Sequence, residues 1–287
     1  MILITGATGN LGSSVVEQLL KTSSSDKFIT TSSSNDGVTK LSKLGLNARL
    51  ANFNDVTSLQ EAFKGIDKIL LISTMDQNRL EQHKNVVDAA KSQGVKHIVY
   101  TSFAIKDIYS SGVKDLMISH FETEDYIKAS GLTYTLLRNT MYADALIQIL
   151  GPNAVNQNIN LPGGEGKVPY ALRREMGEAT ANLLLQEGHE NKTYNITGSQ
   201  SFSYDEVAAA LSKLSGKVIN YTSISEEDFK STLKQAGFPD FAIYLHAGTI
   251  YDVKKHQYEI ESKSLEELLN RQPASLDDFV KEVFETQ

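Results

Sequence analysis

Three glycines near the start of the chain, Gly6, Gly9 and Gly12, have the spacing of a phosphate-binding turn. Each has a physical reason to lack a side chain. Gly6 permits a tight turn after a strand, Gly9 lets the backbone approach phosphate oxygens, and Gly12 lets the next helix pack closely on the sheet. The first N–H groups of that helix then point at the anion. The spacing predicts a site for the pyrophosphate of a dinucleotide.

The segments on either side of the glycines favour this interpretation over an ordinary strand–turn–helix without a ligand. An apolar strand at Ile2–Thr5 precedes them, and Ser13–Lys21 follows with apolar residues at helical spacing. We expect the whole turn to contact the dinucleotide. Its residues are Gly6, Ala7, Thr8, Gly9, Asn10, Leu11 and Gly12.

Strand and helix patterns alternate after the turn, which predicts an α/β fold: a doubly wound parallel Rossmann sheet with helices on both faces and a smaller α+β C-terminal lobe. The predicted strands are Ile2–Thr5, Phe28–Ser32, Ala48–Ala51, Lys68–Ser73, His97–Ser102, Tyr134–Arg138 and Thr193–Thr197. The predicted helices between them are Ser13–Lys21, one that Asp55 or Thr57 caps and that ends at Phe63, Asn78–Ser92, Phe121–Ser130 and Glu175–Gln186.

The character of the chain changes after Arg138, where a segment rich in Asn, Gly and Pro begins. We assign residues 1–138 and about 167–198 to the nucleotide-binding domain, and about 139–166 and 199–287 to a substrate-side lobe. The predicted elements of the lobe are helices at Ser203–Ser215, near Glu226–Ala236 and at Leu276–Phe284, and a strand at Val218–Thr222. Ser275 and Asp278 have the spacing of a capping box for the last helix.

Composition narrows the class of protein. The 287 residues are 40% hydrophobic and 22% charged, as in soluble globular proteins. A net charge of −7 argues against a nucleic-acid partner, which needs a basic surface, and against anionic lipid. The chain has no apolar run of about 20 residues, so we expect no membrane span and a cytoplasmic location. It has no cysteine, and its histidines lack the spacing of ligands, so we expect no metal site.

The end of the second strand selects the nucleotide in such folds: an acidic residue there favours NAD, and an arginine favours the 2′-phosphate of NADP. Ser32 stands at this position, followed by two further serines whose hydroxyls suit a phosphate, with Lys40 or Lys43 nearby. Asp36 is the competing indication for NAD, although Asn35–Gly37 is typical of a turn. We expect NADPH as the cofactor, with NADH as the alternative.

Beyond these motifs, long ordered blocks of the chain resemble one family. They are TGATGNLG at Thr5–Gly12, KILLIST at Lys68–Thr74, Gln82–Ser102, His120–Asn139, PYALR at Pro169–Arg173, Gly188–Gly198 and Leu211–Tyr221. The chain resembles the NmrA-like, atypical short-chain dehydrogenase/reductase family, and within it the bacterial NAD(P)H:quinone oxidoreductases and triphenylmethane dye reductases. This resemblance implies a Rossmann fold that binds a nicotinamide dinucleotide.

The resemblance also implies roles for individual residues. The glycine turn would hold the pyrophosphate, Asp55 would lie near the adenine, and Arg173 would place a charge near the cofactor. Residues implied at the nicotinamide end are Ser73, Thr74, Ser102, Phe103 and Asn139. Residues implied at the substrate are Asn139, Thr140, Met141, Tyr142, Ala143 and Asp144. The chain departs from the family pattern at Ser32, where relatives carry an arginine, and in the substrate segment Asn139–Asp144.

The wider superfamily uses a tyrosine with a lysine four residues later to move a proton, and this pair is missing. Tyr100, Tyr109, Tyr126, Tyr134 and Tyr142 are followed at that distance by Ala, Val, Ser, Arg and Leu. A ketone needs an acid at its carbonyl oxygen, whereas a quinone accepts hydride into a conjugated ring whose oxyanion takes protons from water. We therefore expect an oxidoreductase that transfers hydride to a quinone or similar conjugated acceptor mainly by positioning it, and disfavour a sugar-nucleotide epimerase.

Few single residues stand out as catalytic, and no catalytic residue is assigned. Phe103 and Tyr142 are candidate walls for a flat acceptor, with core packing as the alternative. His120 is the best lone candidate for an accessory proton donor, although a histidine near a helix start more often caps the helix or is partly buried. The alternative function is a redox sensor that binds the dinucleotide with little or no turnover. Monomer and homodimer both remain open.

Overall fold

A seven-stranded sheet forms the centre of the computed structural model, which describes residues 1–285. The spatial order of its strands is β3-β2-β1-β4-β5-β6-β9, and every neighbouring pair is parallel. The strands are β1 (Ile2–Ile4), β2 (Phe28–Ser32), β3 (Ala48–Leu50), β4 (Lys68–Leu71), β5 (His97–Phe103), β6 (Thr133–Asn139) and β9 (Lys192–Ile196). This is the predicted doubly wound Rossmann sheet.

The order of the strands locates a ligand site. The chain moves outward from β1 to β3, then returns to the other side of β1 and continues from β4 to β9. The loops that leave β1 and β4 therefore diverge, and open a crevice at the carboxyl ends of these strands. Every segment that follows a strand end, beginning with Thr5 and Gly6, borders this crevice.

Helices cover both faces of the sheet, and others form the smaller lobe. The helices of the described chain are α1 (Asn10–Thr22), α2 (Asn35–Lys43), α3 (Val56–Ala62), α4 (Arg79–Ser92), α5 (Lys114–Ala129), α6 (Leu146–Leu150), α7 (Arg173–Leu185), α8 (Tyr204–Ser215), α9 (Glu226–Gln235), α10 (Asp240–Lys254), α11 (Ser264–Leu269) and α12 (Leu276–Glu285). Successive residues of a strand point to opposite faces of the sheet. Ile4 and Val99 pack with α1 and α7 on one face, whereas Leu3 and Ile98 pack with α3 and α4 on the other. The described residues contain no helix long and apolar enough to cross a membrane.

A third apolar cluster forms the smaller lobe, built mainly from α6, α8, α10 and α12. Two short sheets join it: β7 (Ile159–Asn160) with β11 (Tyr221–Thr222), and β8 (Lys167–Val168) with β10 (Phe202–Ser203). Ser275 and Asp278 exchange side-chain to backbone hydrogen bonds at the start of α12, which confirms the predicted capping box. The helix α11 lies within the residues assigned to the lobe, but its Leu265 packs in the same cluster as Val15 beside the sheet.

Other differences from the predicted elements lie beside the crevice. Asn35–Gly37 forms the first turn of α2 rather than a turn between elements, because the Ser34 hydroxyl accepts a hydrogen bond from the Gly37 N–H (3.2 Å). The helix α5 begins at Lys114 rather than Phe121. The helix α10 was not predicted, since its apolar residues are not confined to one face and no amphipathic pattern marks it.

Candidate functional site

The glycine turn has the geometry of a phosphate cradle. Gly6 adopts a left-handed φ of +61°, and its carbonyl accepts a hydrogen bond from the Gly9 N–H (2.9 Å). Gly9 is the N-cap of the 13-residue helix α1, whose first N–H groups face the crevice. A Cβ at Gly12 would lie 2.1 Å from the Gly6 carbonyl oxygen, so Gly12 closes the turn on itself. The sequence pattern predicts that Gly12 lets α1 pack closely on the sheet, whereas the nearest backbone in the structure is that of Gly6 and Ala7.

A polar cavity of about 540 Å³ lies on one side of this turn. It is lined by Gly6, Thr8, Gly9, Thr31, Ser32, Ser33, Ala51, Asn52, Phe53, Asn54, Ile72, Ser73, Thr74, Asp76 and Gln82. These residues follow the carboxyl ends of β1, β2, β3 and β4, as the topology requires. The lining, all of it within the described chain, contains one acidic side chain, Asp76, and no Lys or Arg.

Two serines border this cavity at the end of β2. The Ser32 side chain is buried beneath α2, where its Oγ would lie 1.9 Å from a Cβ built on Gly37. Its Oγ also accepts a hydrogen bond from the Ser34 N–H (3.4 Å). Ser33 is exposed and has no such contact. The structure therefore makes Ser33, rather than Ser32, the open position beside the cavity.

Asp55 does not line either cavity. Its carboxylate accepts hydrogen bonds from the N–H groups of Thr57 (3.0 Å) and Ser58 (3.2 Å), so it caps α3 as predicted from the helix pattern. The wall of the polar cavity is formed instead by the three residues before it, Asn52, Phe53 and Asn54. The resemblance implies that Asp55 lies near the adenine; its carboxylate is engaged in the helix cap, directly after the residues that line the cavity.

A second cavity, of about 410 Å³ and mainly apolar, lies on the other side of the turn. Its lining includes most of the predicted residues: Gly6, Gly9, Asn10, Leu11, Gly12, Ser73, Thr74, Ser102, Phe103, Asn139, Thr140, Met141, Tyr142 and Arg173. The lining also includes His120, named from the sequence only as a candidate accessory proton donor, and residues that were not predicted: Ile72, Met75, Met117, Ala145, Gln148, Ile149, Leu245, His246 and Thr249. Leu245, His246 and Thr249 lie on α10, and no local sequence pattern indicated that helix or its place in the cavity wall.

The two cavities are parts of one cleft. They share Gly6, Gly9, Ile72, Ser73 and Thr74, so they meet at the glycine turn. A ligand that fills both would have one polar and one flatter, less polar half, joined by an anionic group over the N-terminus of α1. A nicotinamide dinucleotide has this form.

Two buried polar atoms in the second cavity lack partners within residues 1–285. They are Oδ1 of Asn139 and Oγ1 of Thr140, and each residue is 4% exposed. A buried polar group without a hydrogen bond is costly, so such atoms point to a ligand that supplies one. Both lie where β6 ends, beside the glycine turn.

Arg173 and Tyr142 form one wall of the same cavity. The guanidinium carbon lies 4.4 Å from the centre of the Tyr142 ring, close enough for a cation–π interaction. The Arg173 N–H donates to the Asp144 carboxylate (2.8 Å), which fixes the start of α7. Ala143 and Asp144 support this wall without lining the cavity, and Ala7 likewise lies behind the glycine turn.

A chain of buried polar side chains lies behind Phe103 and His120. The Tyr100 hydroxyl and His120 Nδ1 are 2.9 Å apart, and Thr123 Oγ1 lies 3.1 Å from His83 Nδ1. The Arg79 guanidinium, fully buried, donates to the carbonyls of Thr74 and Leu116 and to the Ser119 hydroxyl. Burial, together with the positive charge of Arg79, lowers the pKa of His83 to about 3 and holds the pKa of His120 well below its usual range. His120 is therefore neutral and lies within α5, not near a helix start.

We expect these two histidines to make the fold acid-sensitive. Their folded-state pKa values are depressed, so their contribution to stability is complete above the unfolded value of 6.5 and is lost as the pH falls below it. Below pH 6.5, each of these histidines lowers the free energy of unfolding by about 1.4 kcal/mol for every pH unit. Urea titrations at pH 7.5 and 5.5 should show a free energy of unfolding lower at pH 5.5 by about 3 kcal/mol from these two groups, with about 1.4 kcal/mol more from His97, whose pKa burial lowers to about 4. His83→Asn should remove about a third of the total loss, and equal stability at both pH values would contradict the assignment.

Comparison with known proteins agrees with this geometry. The model of the NmrA-like family matches residues 1–280. Quinone oxidoreductase 2 of Escherichia coli (strain K12) is 35% identical over 286 residues, 99% of each chain, and its structure with NADPH superposes with a TM-score of 0.90 over 99% of this chain and 100% of that one. The triphenylmethane reductase of Citrobacter sp. has a TM-score of 0.91 at 34% identity over 99% of each chain. The NAD(P)H azoreductase of Xenophilus azovorans is 27% identical over 84% of this chain and 82% of its own. The chain belongs to the NmrA-like family, which confirms the resemblance seen in the sequence.

Proposed function

We propose that this protein is an NAD(P)H-dependent oxidoreductase that transfers hydride to a quinone or similar conjugated acceptor. The observation that carries the proposal is the two-part cleft that meets at the glycine turn. Relatives at 34–35% identity are named for the reduction of quinones and triphenylmethane dyes, and two of their structures contain NADP(H) or NADPH. The reaction takes hydride from the dihydronicotinamide and one proton from water, and gives the hydroquinone and the oxidised nucleotide.

The chain's residues fit a nicotinamide dinucleotide. The absence of a side chain at Gly9 leaves room for the pyrophosphate at the N-terminus of α1, where N–H groups and the helix dipole favour an anion. The adenosine half would occupy the polar cavity beside Ser33 and Asn52. The nicotinamide, which supplies the hydride when bound, would lie in the second cavity beside the unpaired oxygen atom of Asn139, and the unpaired hydroxyl of Thr140, a residue implied at the substrate, would face the acceptor.

The acceptor would stack in the apolar part of the second cavity. Phe103, Met141 and Tyr142 offer flat or adaptable walls, and Leu245 of α10 closes the opposite side. Burial raises the pKa of the Tyr142 phenol, so it remains neutral. The chain therefore supplies orientation, proximity and exclusion of water, which account for much of the rate when the product oxyanion is resonance-stabilised.

We propose NADPH as the preferred cofactor, with NADH as the alternative. The relatives that contain NADPH support the first, whereas the cavity lining, as far as the chain is described, has no Lys or Arg for a 2′-phosphate. The described hydroxyls at the end of β2 and the first turn of α2 offer neutral hydrogen-bond donors instead. The preference for NADPH is therefore expected to be modest.

A direct assay tests the proposal. Purified protein is mixed with NADPH or NADH and a panel of benzoquinones and naphthoquinones, and oxidation of the nucleotide is followed by absorbance. Turnover with at least one quinone is the expected result. Tight nucleotide binding without turnover on any member of the panel would overturn the enzyme assignment and favour a dinucleotide-binding redox sensor.

The compartment, the partners and the assembly state of the protein are part of the same proposal. We propose that the protein acts on a small-molecule acceptor in the cytoplasm, as a monomer or a homodimer, without nucleic acid or a membrane as partner. The absence of cysteine suits a reducing compartment, and a net charge of −7 disfavours binding to polyanions. Light scattering after size-exclusion chromatography distinguishes the two assembly states.

The unpaired hydroxyl of Thr140 gives a matched pair of variants. Thr140→Val is nearly isosteric, and we expect it to raise the KM for the quinone about 2- to 10-fold, the value of one lost neutral hydrogen bond. The thermal midpoint should stay equal or rise, because a buried unpaired hydroxyl is removed. Thr197→Val is the control, since that hydroxyl is also buried and unpaired but lies outside the cleft lining. Equal KM changes in both variants would contradict the assignment.

A further inference from the structure

His120 occupies a position in the cleft wall that the proposed function does not yet use. The residue is 4% exposed, and its ring lies beside that of Phe103, with centroids 6.1 Å apart and planes inclined by 31°. The ring lines the apolar cavity, where a flat acceptor would stack. Its Nδ1 atom faces away from the acceptor space toward the Tyr100 hydroxyl at 2.9 Å. One ring nitrogen is thus engaged with the protein, and the other, Nε2, has no partner within residues 1–285.

The neighbours of Tyr100 indicate which way this hydrogen bond runs. The Thr123 hydroxyl gives its own proton to the Ser119 carbonyl (2.7 Å), so it accepts from His83 Nδ1. Thr123 also lies near the Tyr100 phenol, but the hydrogen-bond contact of the phenol at ordinary length is the one with His120 Nδ1, at 2.9 Å. The His120 Nδ1 lone pair is then the free acceptor at good distance for the Tyr100 O–H. That arrangement leaves the single proton of a neutral imidazole on Nε2.

The imidazole is held neutral by its surroundings. Burial, the positive charge of Arg79 and the neighbouring His83 all keep the pKa of His120 far below its usual range, and burial raises that of Tyr100. His120 is therefore no charged acid at neutral pH, contrary to the first expectation of a proton donor. A neutral N–H whose ring accepts a hydrogen bond at Nδ1 is polarised, and becomes a better donor.

We propose that the Nε2–H of neutral His120 donates a hydrogen bond to the acceptor's carbonyl oxygen, and that Tyr100 is the positioning residue that holds His120 in this tautomer. The inference rests on the proposed function. As hydride reaches the quinone, negative charge grows on the oxygen, and a donor already oriented toward it stabilises that charge more than the ground state. The proton that completes the hydroquinone still comes from water, so His120 keeps its own proton throughout.

Two substitutions of similar length test the donor. His120→Gln keeps an amide N–H near the position of Nε2, whereas His120→Met keeps the volume and removes the donor. With a fixed quinone and NADPH, His120→Met should lower kcat roughly 10- to 100-fold, at or below the lower end of the range for loss of an oxyanion donor because the product oxyanion is resonance-stabilised, and His120→Gln should stay within about 3-fold of the parent. The KM for NADPH should be unchanged in both, and the 4-deuterated cofactor should give a larger isotope effect on kcat in His120→Met.

Nuclear magnetic resonance tests the positioning role independently of turnover. In the unsubstituted protein with 15N-labelled histidine, the chemical shifts should place the His120 proton on Nε2. Tyr100→Phe removes the hydroxyl at nearly constant volume, and should mix the two tautomers and lower kcat about 3- to 10-fold. A dominant Nδ1–H tautomer in the unsubstituted protein would overturn the role of Tyr100.

The outcomes separate this inference from the proposed function. If no quinone is turned over by the parent protein, the proposed function fails, and the tautomer experiment still reports on the Tyr100–His120 pair. If the parent is active but His120→Met and His120→Gln lose kcat equally, or neither loses any, the hydrogen-bond role fails while the proposed function stands. Thermal unfolding of each variant identifies a loss that comes from the fold alone, and His120→Gln then decides the donor role.

Discussion

Gly9→Val is expected to weaken binding of NADPH by about 100-fold or more while leaving the protein folded. Gly9 lines both cavities at the place where they meet. Its backbone has φ −85° and ψ 169°, an extended conformation that any residue adopts. A Cβ there approaches only the Gly6 carbonyl, at 3.3 Å. The two methyl groups of valine would therefore enter the space assigned to the pyrophosphate.

The size of the effect follows from what those methyl groups displace. A hydrogen bond between a backbone N–H and a charged phosphate is worth about 1.5–3 kcal/mol, so the loss of two gives a factor of 100 or more in the dissociation constant. Valine is also a poorer N-cap than glycine for α1, which costs roughly 1 kcal/mol. The thermal midpoint of the variant should thus fall by only a few degrees.

Calorimetric titration with NADPH, together with circular dichroism, measures both quantities. Gly12→Ala is the contrasting variant: its Cβ would lie 2.1 Å from the Gly6 carbonyl oxygen, so it should lower the thermal midpoint strongly as well as binding. Gly9→Ala should fall between the parent and Gly9→Val in affinity. Undiminished binding by folded Gly9→Val would show that the pyrophosphate lies elsewhere in the cleft.

The sequence sufficed for the parts of this cleft that local pattern and parallel topology determine. Glycine spacing predicted the turn, and the apolar runs of the strands predicted where each strand ends. The resemblance implied Thr74, Ser102 and Asn139 at the nicotinamide end, and all three line the second cavity, because parallel strands bring their carboxyl ends to one edge of the sheet. Their contacts with a cofactor remain a prediction.

The parts that could not be predicted depend on packing between distant segments. Leu245, His246 and Thr249 belong to α10, which lies between the lobe core and the cleft and so lacks the single apolar face of a surface helix. The environment of His120 depends on Tyr100, which lies on a different element. No local sequence pattern predicts the position of α10 at the cleft or the contact between Tyr100 and His120.

The residue that selects between NADPH and NADH could not be predicted from the sequence either, because it depends on the orientation of the Ser32 side chain. The sequence placed Ser32 at the selector position, but its side chain lies under α2, in space that Gly37 leaves free. The helix itself was not predicted, since Asn35–Gly37 looked like a turn. Only with α2 in place does the exposed Ser33 become the position from which a longer side chain would reach the cavity.

Ser33→Arg is accordingly expected to raise the ratio of kcat/KM for NADPH to that for NADH about 10- to 100-fold. A guanidinium that pairs with the 2′-phosphate adds a charge-assisted hydrogen bond worth about 1.5–3 kcal/mol. The cavity lining in the described chain has no basic residue, so the new charge has no competitor there. The value of kcat/KM for NADH should change little, because NADH has only a hydroxyl at this position.

Ser33→Gln is the matched control, since it gives a long polar side chain without charge and should change the ratio no more than about 3-fold. The dependence of the NADPH/NADH ratio on salt concentration further distinguishes an effect of the arginine charge from an effect of its shape. An exposed ion pair is screened as the Debye length falls from about 10 Å at 0.1 M to about 3 Å at 1 M, so the gain of Ser33→Arg should shrink over this range. Equal ratios for the arginine and glutamine variants, or a gain that high salt leaves intact, would place the 2′-phosphate away from Ser33. In that case the first turn of α2, with its neutral N–H groups, would become the position to vary next.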